Sequence, residues 1–342
     1  MPRHLCHLLP LFFSAAAALG FAANERIELA WPTPNKAWEE GRSIEAFLQP
    51  TGSGDPASGG FGGVRSGGAQ FHEGIDIKAL NRDRRGEPTD KVYAAMAGVV
   101  RHISAHSGDS NYGRYIVLEH PDCSPAIYTL YAHLASILPG IREGVRVERG
   151  QPIAIMGHSA SGYSIPRDRA HLHFEMGVMV TRDFQTWYNW KKFGSPNDHG
   201  LWNGMNLMGF DPLEFFNDWR EHRIGTVQDF FTRMRPQVRF RIATSKTPDF
   251  IQRYPSLLKA PLPAGLLGGW EIECEWTGIP ISWRPLSSTE VIGLQFNRPS
   301  ITWVDHDSVA QHRSKVLVRP RGGGYGPGHD LEMVLQQLFE MR

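Results

Sequence analysis

The stretch Arg169-Ala170-His171-Leu172-His173-Phe174-Glu175-Met176, RAHLHFEM, alternates polar and apolar side chains over its last six residues. In a β-strand successive side chains point to opposite faces. His171, His173 and Glu175 then share one face, and Leu172, Phe174 and Met176 share the other. The apolar row reads as a core face, which leaves two imidazoles standing together on the opposite side. Taken alone, such a strand is most simply half-exposed with its polar residues outward. The rest of the chain decides whether that simple reading holds.

Two further clusters bear on it. In FHEGIDIKA, His72 and Asp76 are four apart, as ligands on one helical turn would be. Gly74 and the β-branched Ile75 and Ile77 make a helix a poor reading. In a straight strand the two positions lie roughly 13 Å apart, too far to hold one ion. If both bind, the chain bends between them, and Gly74 is the residue that permits the bend. In IYTLYAHLAS, His133 follows Tyr131 by two, so a regular strand puts both on one side and Leu130, Ala132 and Leu134 on the other. Either cluster by itself is more simply polar sheet surface.

In this order, FHEGID, YAHL and HLHFE joined by short strands resemble the M23 family of zinc metallopeptidases, which includes lysostaphin and the LytM-type cell-wall hydrolases. FGGVRSGGAQFHEGIDIKA is similar to that family's lead into its first metal motif. VYAAMAGVV is similar to the strand that follows, and VERGQPIAIMGHSA to the approach to the His-x-His. The resemblance covers roughly residues 27–218 and implies a mainly β, antiparallel sheet or sandwich of the LytM-like peptidase type. It also implies His72, Asp76 and His173 as ligands of one Zn²⁺ per chain. Two histidines and one carboxylate leave a tetrahedral position for water, the arrangement of catalytic zinc. His133 and His171 become the catalytic imidazoles, with His171 as the base because it stands two residues from a ligand on the same face.

The substrate that the family implies is a peptide bond in peptidoglycan cross-links or stems. The turn NRDRRGEPTD, the turn PDCSPA and the excursion after Val180 depart from the family pattern and bear on substrate fit. Glu175 either orients His173 or His171 or stands as an exposed strand residue, and it is left out of the site; Tyr131 is read as a packed edge of the cleft. His158 and Tyr163 precede the His-x-His in a loop that can line the groove. The remaining histidines read as scattered polar surface. Two alternatives stay open. A LytM-like regulator that does no chemistry keeps the fold, but here all five functional positions are filled. A non-haem iron enzyme also uses two histidines and one carboxylate, yet it leaves His133 and His171 without a role.

The chain has 342 residues and a formal net charge of +1, which gives no argument for a nucleic-acid partner. Residues 1–22 read as a signal peptide: Arg3 in a basic lead, an apolar run from Leu8 to Leu19, then the small residues around Ala22. That run is too short to span a bilayer comfortably. The expectation is export to the periplasm, cell envelope or exterior, without a stable membrane anchor. Of three cysteines, Cys6 falls in this segment. Cys123 and Cys274 lie far apart, so separate thiols are expected over a bridge, and any metal must use histidine and carboxylate ligands.

Short alternating runs (VYAAMAGVVRHI, YGRYIVLEH, AIYTLYAHL, QPIAIMGHS, HLHFEMGVMV) separated by turn residues support the antiparallel reading. Residues 181–210 read as an irregular excursion. FDPLEFFNDWREH reads as a helix capped by Asp211 with Pro212 at its first position. Residues 226–342 read as a smaller α+β domain, with strand-like VRFRIAT, WEIECEW, EVIGLQF and SKVLVRP. Its closing helix carries Leu331, Val334, Leu335 and Leu338 at a helical period. The tryptophans of GGWEIECEWTG and PISWRP are weighed as core before any sugar-stacking surface.

Overall fold

The computed structural model describes residues 26–341, so the segment read as a signal peptide lies outside the described residues. Among those residues no helix is long and apolar enough to cross a membrane. A first hairpin pairs β1 (Gly62–Arg65) with β2 (Gln70–His72). Next come β3 (Ile75–Lys78), β4 (Lys91–Tyr93), β5 (Gly98–Ser104), β6 (Tyr115–His120) and β7 (Ile127–Ala132). They are followed by β8 (Leu134–Ile137), β9 (Arg146–Val147), β10 (Pro152–Met156), β11 (His171–Met179) and β12 (Leu207–Phe210).

The main sheet is antiparallel and runs β12-β11-β7-β6-β5-β9. On the edge of β11 away from β7, β3 pairs with His171–Phe174 and β12 with Met176–Met179. β4, β10 and β8 form a second, three-stranded sheet. The RAHLHFEM strand is therefore central and buried along its whole length.

The alternation explains its position. Leu172, Phe174, Met176 and Val178 join the main core with Ile75, Ile77, Phe215 and Phe216. Burying each such side chain stabilises the fold by roughly 1.5–3 kcal/mol. The opposite face of β11 is buried too, but by polar groups. Residues 181–210 differ from the sequence reading. They hold helix α1 (Phe184–Lys191) and β12, with helix α2 (Pro212–Arg220) following. Phe184, Trp187 and Tyr188 bury one face of α1 in a small aromatic cluster. Its Thr, Asn and aromatic residues are weak helix formers, and this tertiary burial overrides the propensity. Helix α2 is built as its sequence reads, with the Asp211 carboxylate accepting from the amides of Leu213 and Glu214 and Pro212 in the first turn.

The last part begins with α3 (Val227–Arg233), which Thr226 and Asp229 close with a capping box. Its sheet has the order β15-β14-β13-β16, from β13 (Val238–Ala243), β14 (Gly269–Cys274), β15 (Pro280–Leu286) and β16 (Pro299–Val304). Helix α4 (Asp249–Arg253) lies between β13 and β14 in the chain, and α5 (His306–Gln311) follows β16. A hairpin of β17 (Val318–Arg321) and β18 (Gly324–Pro327) precedes α6 (His329–Phe339). EVIGLQF is not a strand: Ile292 is 80% exposed and Phe296 65%, and β16 takes the edge of β13 that this run would need. Trp270 and Trp283 are fully buried in the core, whereas Trp276 is half-buried. Cys123 and Cys274 are separate thiols.

One apolar core runs through both parts of the chain. Phe210 and Phe215 pack against Phe230 at ring-centroid distances of 5.0 and 4.9 Å. Arg253 donates to the carbonyls of Met179 and Val180, at the end of the metal-motif strand.

Candidate metal centre

The backbone brings the three histidine clusters to one place. β2 ends at His72, the chain turns at Glu73-Gly74, and β3 returns alongside β11 with Asp76 opposite His173. Gly74 serves close approach here: a Cβ on it would fall 2.2 Å from the Phe174 carbonyl oxygen. His133 departs from the strand reading. It sits between β7 and β8 at φ +61°, a left-handed conformation uncommon for a residue with a side chain. The strand alternation ends there, so Tyr131 faces the core while His133 faces the cleft. The Tyr131 hydroxyl accepts from the Ala95 amide.

His72 Nε2, Asp76 Oδ1 and His173 Nδ1 form a small triangle. The two imidazole nitrogens are 3.0 Å apart, and the carboxylate oxygen lies 3.1 Å from His72 and 3.0 Å from His173. Ligands about 2.0–2.1 Å from a tetrahedral zinc ion stand roughly 3.3 Å from one another. The donor set and its spacing therefore fit an ion of that size. All three residues are buried.

Each imidazole is oriented by a hydrogen bond on its outer side. His72 Nδ1 donates to the Gly60 carbonyl at 2.6 Å, and His173 Nε2 donates to Glu175 at 2.9 Å. His171 Nδ1 donates to the Arg169 carbonyl at 2.7 Å, and His133 Nδ1 to the Ser159 carbonyl at 2.8 Å. Four inner nitrogens are directed into the site, those of His72 and His173 against the Asp76 carboxylate. His171 Nε2 lies 3.5 Å from Asp76 Oδ1, and the His133 ring centre is 5.0 Å from that of His171.

Charge in the site follows from burial and these partners. Burial works against ionised Asp76, but the His72 and His171 imidazoles and hydrogen bonds from His173 and His72 hold its carboxyl well below the usual range. Burial lowers His133 well below its ordinary value, and the neighbouring His171 and His173 add to the effect. His171 is also lowered by burial, with Asp76 opposing. Both are neutral imidazoles at neutral pH, able to accept a proton. For His173, burial is outweighed by its bonds to Asp76 and Glu175, which push it up to about 10.

The sequence reading left Glu175 out of the site with its role open between orienting an imidazole and exposed strand, and the structure decides for the first. Glu175 is 1% exposed and accepts from His173, from the Tyr112 hydroxyl at 2.6 Å and from the Tyr128 hydroxyl at 2.9 Å. Its place on the face of His173 was legible in the alternation, but Tyr112 and Tyr128 come from other segments and gave no signal. Arg65 was also missed: its Nη2 donates to Asp76 Oδ2 at 2.5 Å. His158 pairs with Glu87 away from the site, while Tyr163 does line the cleft. His120 is not surface: it is buried between the Ala97 carbonyl and Thr129.

The centre opens into a cleft of about 590 Å³. Its sequence signature extends beyond the ligands, since residues 70–183 match the model of Peptidase family M23. The chain carries an M23 peptidase domain. Solved structures similar to this chain include a zinc-containing peptidase from Vibrio cholerae, at 28% identity over 44% of this chain, with TM-score 0.30. The match spans only 37% of that peptidase's length. The catalytic domain of the antimicrobial peptidase lysostaphin from Staphylococcus simulans is 21% identical over 44% of this chain and 82% of its own, with TM-score 0.28. A catalytic domain of the prophage-encoded M23 protein EnpA from Enterococcus faecalis is 19% identical over 38% and 80%, with TM-score 0.28. No curated protein matches this chain. The matched span holds every side chain of the candidate centre, including Glu175, except Arg65, which precedes it as does Gly60.

Proposed function

We propose that this protein is an exported zinc metalloendopeptidase that hydrolyses peptide bonds in peptidoglycan cross-links or stems. The observation that carries the reading is the set of four buried imidazoles, each tied at its outer nitrogen and with its inner one turned into the site, around a donor triangle of zinc size. In this reading His72 Nε2, Asp76 Oδ1 and His173 Nδ1 hold the metal. Zinc bound there supplies a Lewis acid and lowers the pKa of a ligand water to about 7.

The chain's own groups do the remaining work. His171 Nε2 takes a proton, and Asp76 beside it favours the imidazolium that results. His133, facing His171 across the site, is the second imidazole and stabilises the developing oxyanion once protonated. Burial of all these groups strengthens their electrostatic action on a bound peptide. Residues 27–218 form the peptidase part, and residues 226–342 an α+β unit that braces it without supplying a catalytic group.

Digestion of purified peptidoglycans of several cross-link types, with mass spectrometry of the fragments, tests the reading. The expected result is new peptide termini that disappear on chelation and return with added zinc. Intact wall material after digestion by zinc-loaded protein counts against it, as does iron in place of zinc in metal analysis.

A further inference from the structure

Apart from histidines, the candidate cleft is lined by four charged residues: Arg65, Glu73, Asp76 and Arg169. Arg65 and Asp76 are bound to each other at 2.5 Å. Arg169 and Glu73 remain, and among the described residues neither side chain has an ion-pair or hydrogen-bonding partner. Glu73 is exposed at the cleft wall. Arg169 is half-buried, and a Cβ on Gly52 would touch its guanidinium at 3.4 Å. A guanidinium partly withdrawn from water gains most from a carboxylate, which it can grip with two parallel N–H donors.

The strand register places the two residues on opposite sides of the proposed metal ligands. Arg169 lies two residues before His171 on the approach to β11. β3 runs antiparallel to β11, with Asp76 opposite His173 and Ile75 opposite Phe174, so Glu73 falls beyond Phe174. Along β11 the two positions fall on either side of the His171–His173 pair.

We propose that the cleft takes an extended peptide carrying a free carboxylate at the Arg169 end and a cationic group at the Glu73 end, so that these two residues set substrate choice. This rests on the peptidase reading and narrows it to zwitterionic peptides, a class that includes stem peptides with unamidated acidic residues and a free side-chain amine. Arg169 stands in the segment YSIPRDRA, and its backbone carbonyl also orients His171. A substrate carboxylate gripped there lies next to the catalytic imidazole's own anchor. Recognition at this end is thereby joined to placement of the scissile bond.

The test uses matched peptides of about eight residues, with the carboxylate free or amidated and the amine free or acetylated. Steady-state rates are measured with the zinc-loaded full chain. Equilibrium binding is measured separately by fluorescence anisotropy on metal-stripped protein. The expected result is that amidation raises KM and Kd by about tenfold in the wild type, since one charge-assisted pair is lost. Arg169→Gln abolishes the difference, Arg169→Lys restores part of it, and Glu73→Gln abolishes discrimination between amine and acetamide.

Equal binding of free and amidated peptides by the wild type overturns the proposal. So does an Arg169→Gln variant that weakens both peptides alike, since that is the behaviour of a structural residue. If binding discriminates by charge but no peptide is cut, charge recognition stands and the peptidase reading falls. Hydrolysis without discrimination overturns charge recognition and leaves the peptidase reading standing.

Discussion

Glu175 and His173 stand two residues apart on one face of β11, and the Glu175 carboxylate accepts the Nε2 proton of His173 at 2.9 Å. The bond orients the imidazole proposed as a metal ligand and presents its Nδ1 to Asp76 and His72. Glu175 is held in turn by two tyrosine hydroxyls. Such outer partners commonly govern metal affinity. Glu175→Gln keeps the size but cannot accept all three bonds on equal terms. Its zinc affinity is expected to fall by about 10- to 100-fold, read by competition with a chromogenic chelator. Zinc binding as tight as in the wild type removes Glu175 from the site.

The proposed ligands and the proposed catalytic imidazoles separate by what each variant retains. His72→Ala, Asp76→Ala and His173→Ala are each expected to lose most bound zinc and, with it, activity. His133→Ala and His171→Ala are expected to keep stoichiometric zinc while turnover drops by about 10²-fold or more. Metal content and kcat measured on the same preparations check the division. Loss of zinc from either His133→Ala or His171→Ala breaks it.

The β1–β2 hairpin links the metal centre to the C-terminal part. Phe61, Phe71 and Trp276 pack edge-on with ring centres 5.3–5.8 Å apart, and the Lys315 ammonium stands 4.3 Å over Phe71. The same hairpin carries Arg65 to Asp76. Trp276→Ala is expected to loosen the hairpin and to cost roughly 1–2 kcal/mol of stability, less than loss of a fully buried Trp because the side chain is half-buried. Zinc affinity should weaken in the same direction as in Arg65→Ala. Faster hydrogen exchange at residues 62–72, compared with wild type, is the direct readout. Unchanged exchange there, with unchanged zinc affinity, shows that the packing does not brace the site.

Glu275 sets a pH dependence of a different origin. Burial pushes its carboxyl up from its ordinary value of 4.5 to about 7, with hydrogen bonds from Thr277 and Ile279 offsetting part of the effect. The folded chain therefore holds this proton more tightly than the unfolded chain. Its contribution is full below about pH 4.5 and is lost as pH rises through 7. Glu275→Gln should remove that decline, stabilising the protein at pH 8 by up to about 3 kcal/mol and much less at pH 5. Urea unfolding at both pH values measures it. An equal effect at the two pH values rules out ionisation as the cause.

Much of this was legible in residue order. The alternation of RAHLHFEM placed His171, His173 and Glu175 on one face and the core residues on the other, because strand geometry has a period of two. His72 and Asp76 were legible as a bent pair around Gly74, and Asp211 and Pro212 as a helix start, because these are local constraints of the backbone. Helix α1 was missed because its stability comes from aromatic burial rather than propensity. EVIGLQF was misread because its apolar residues do not reveal that another strand takes the edge they would pair with.

Only the tertiary structure could decide the rest. His133 reaches the site through a left-handed backbone that breaks the strand pattern, which no periodicity predicts. Glu175 is buried because Tyr112 and Tyr128, distant in sequence, close over it. Arg65 is engaged by Asp76, while Arg169 and Glu73 are left facing the cleft. The physical reason is common to all three. Local residue order dictates which face a side chain takes, but a charge or hydrogen bond is satisfied by whatever the fold brings within about 3 Å, and that partner can lie far away along the chain.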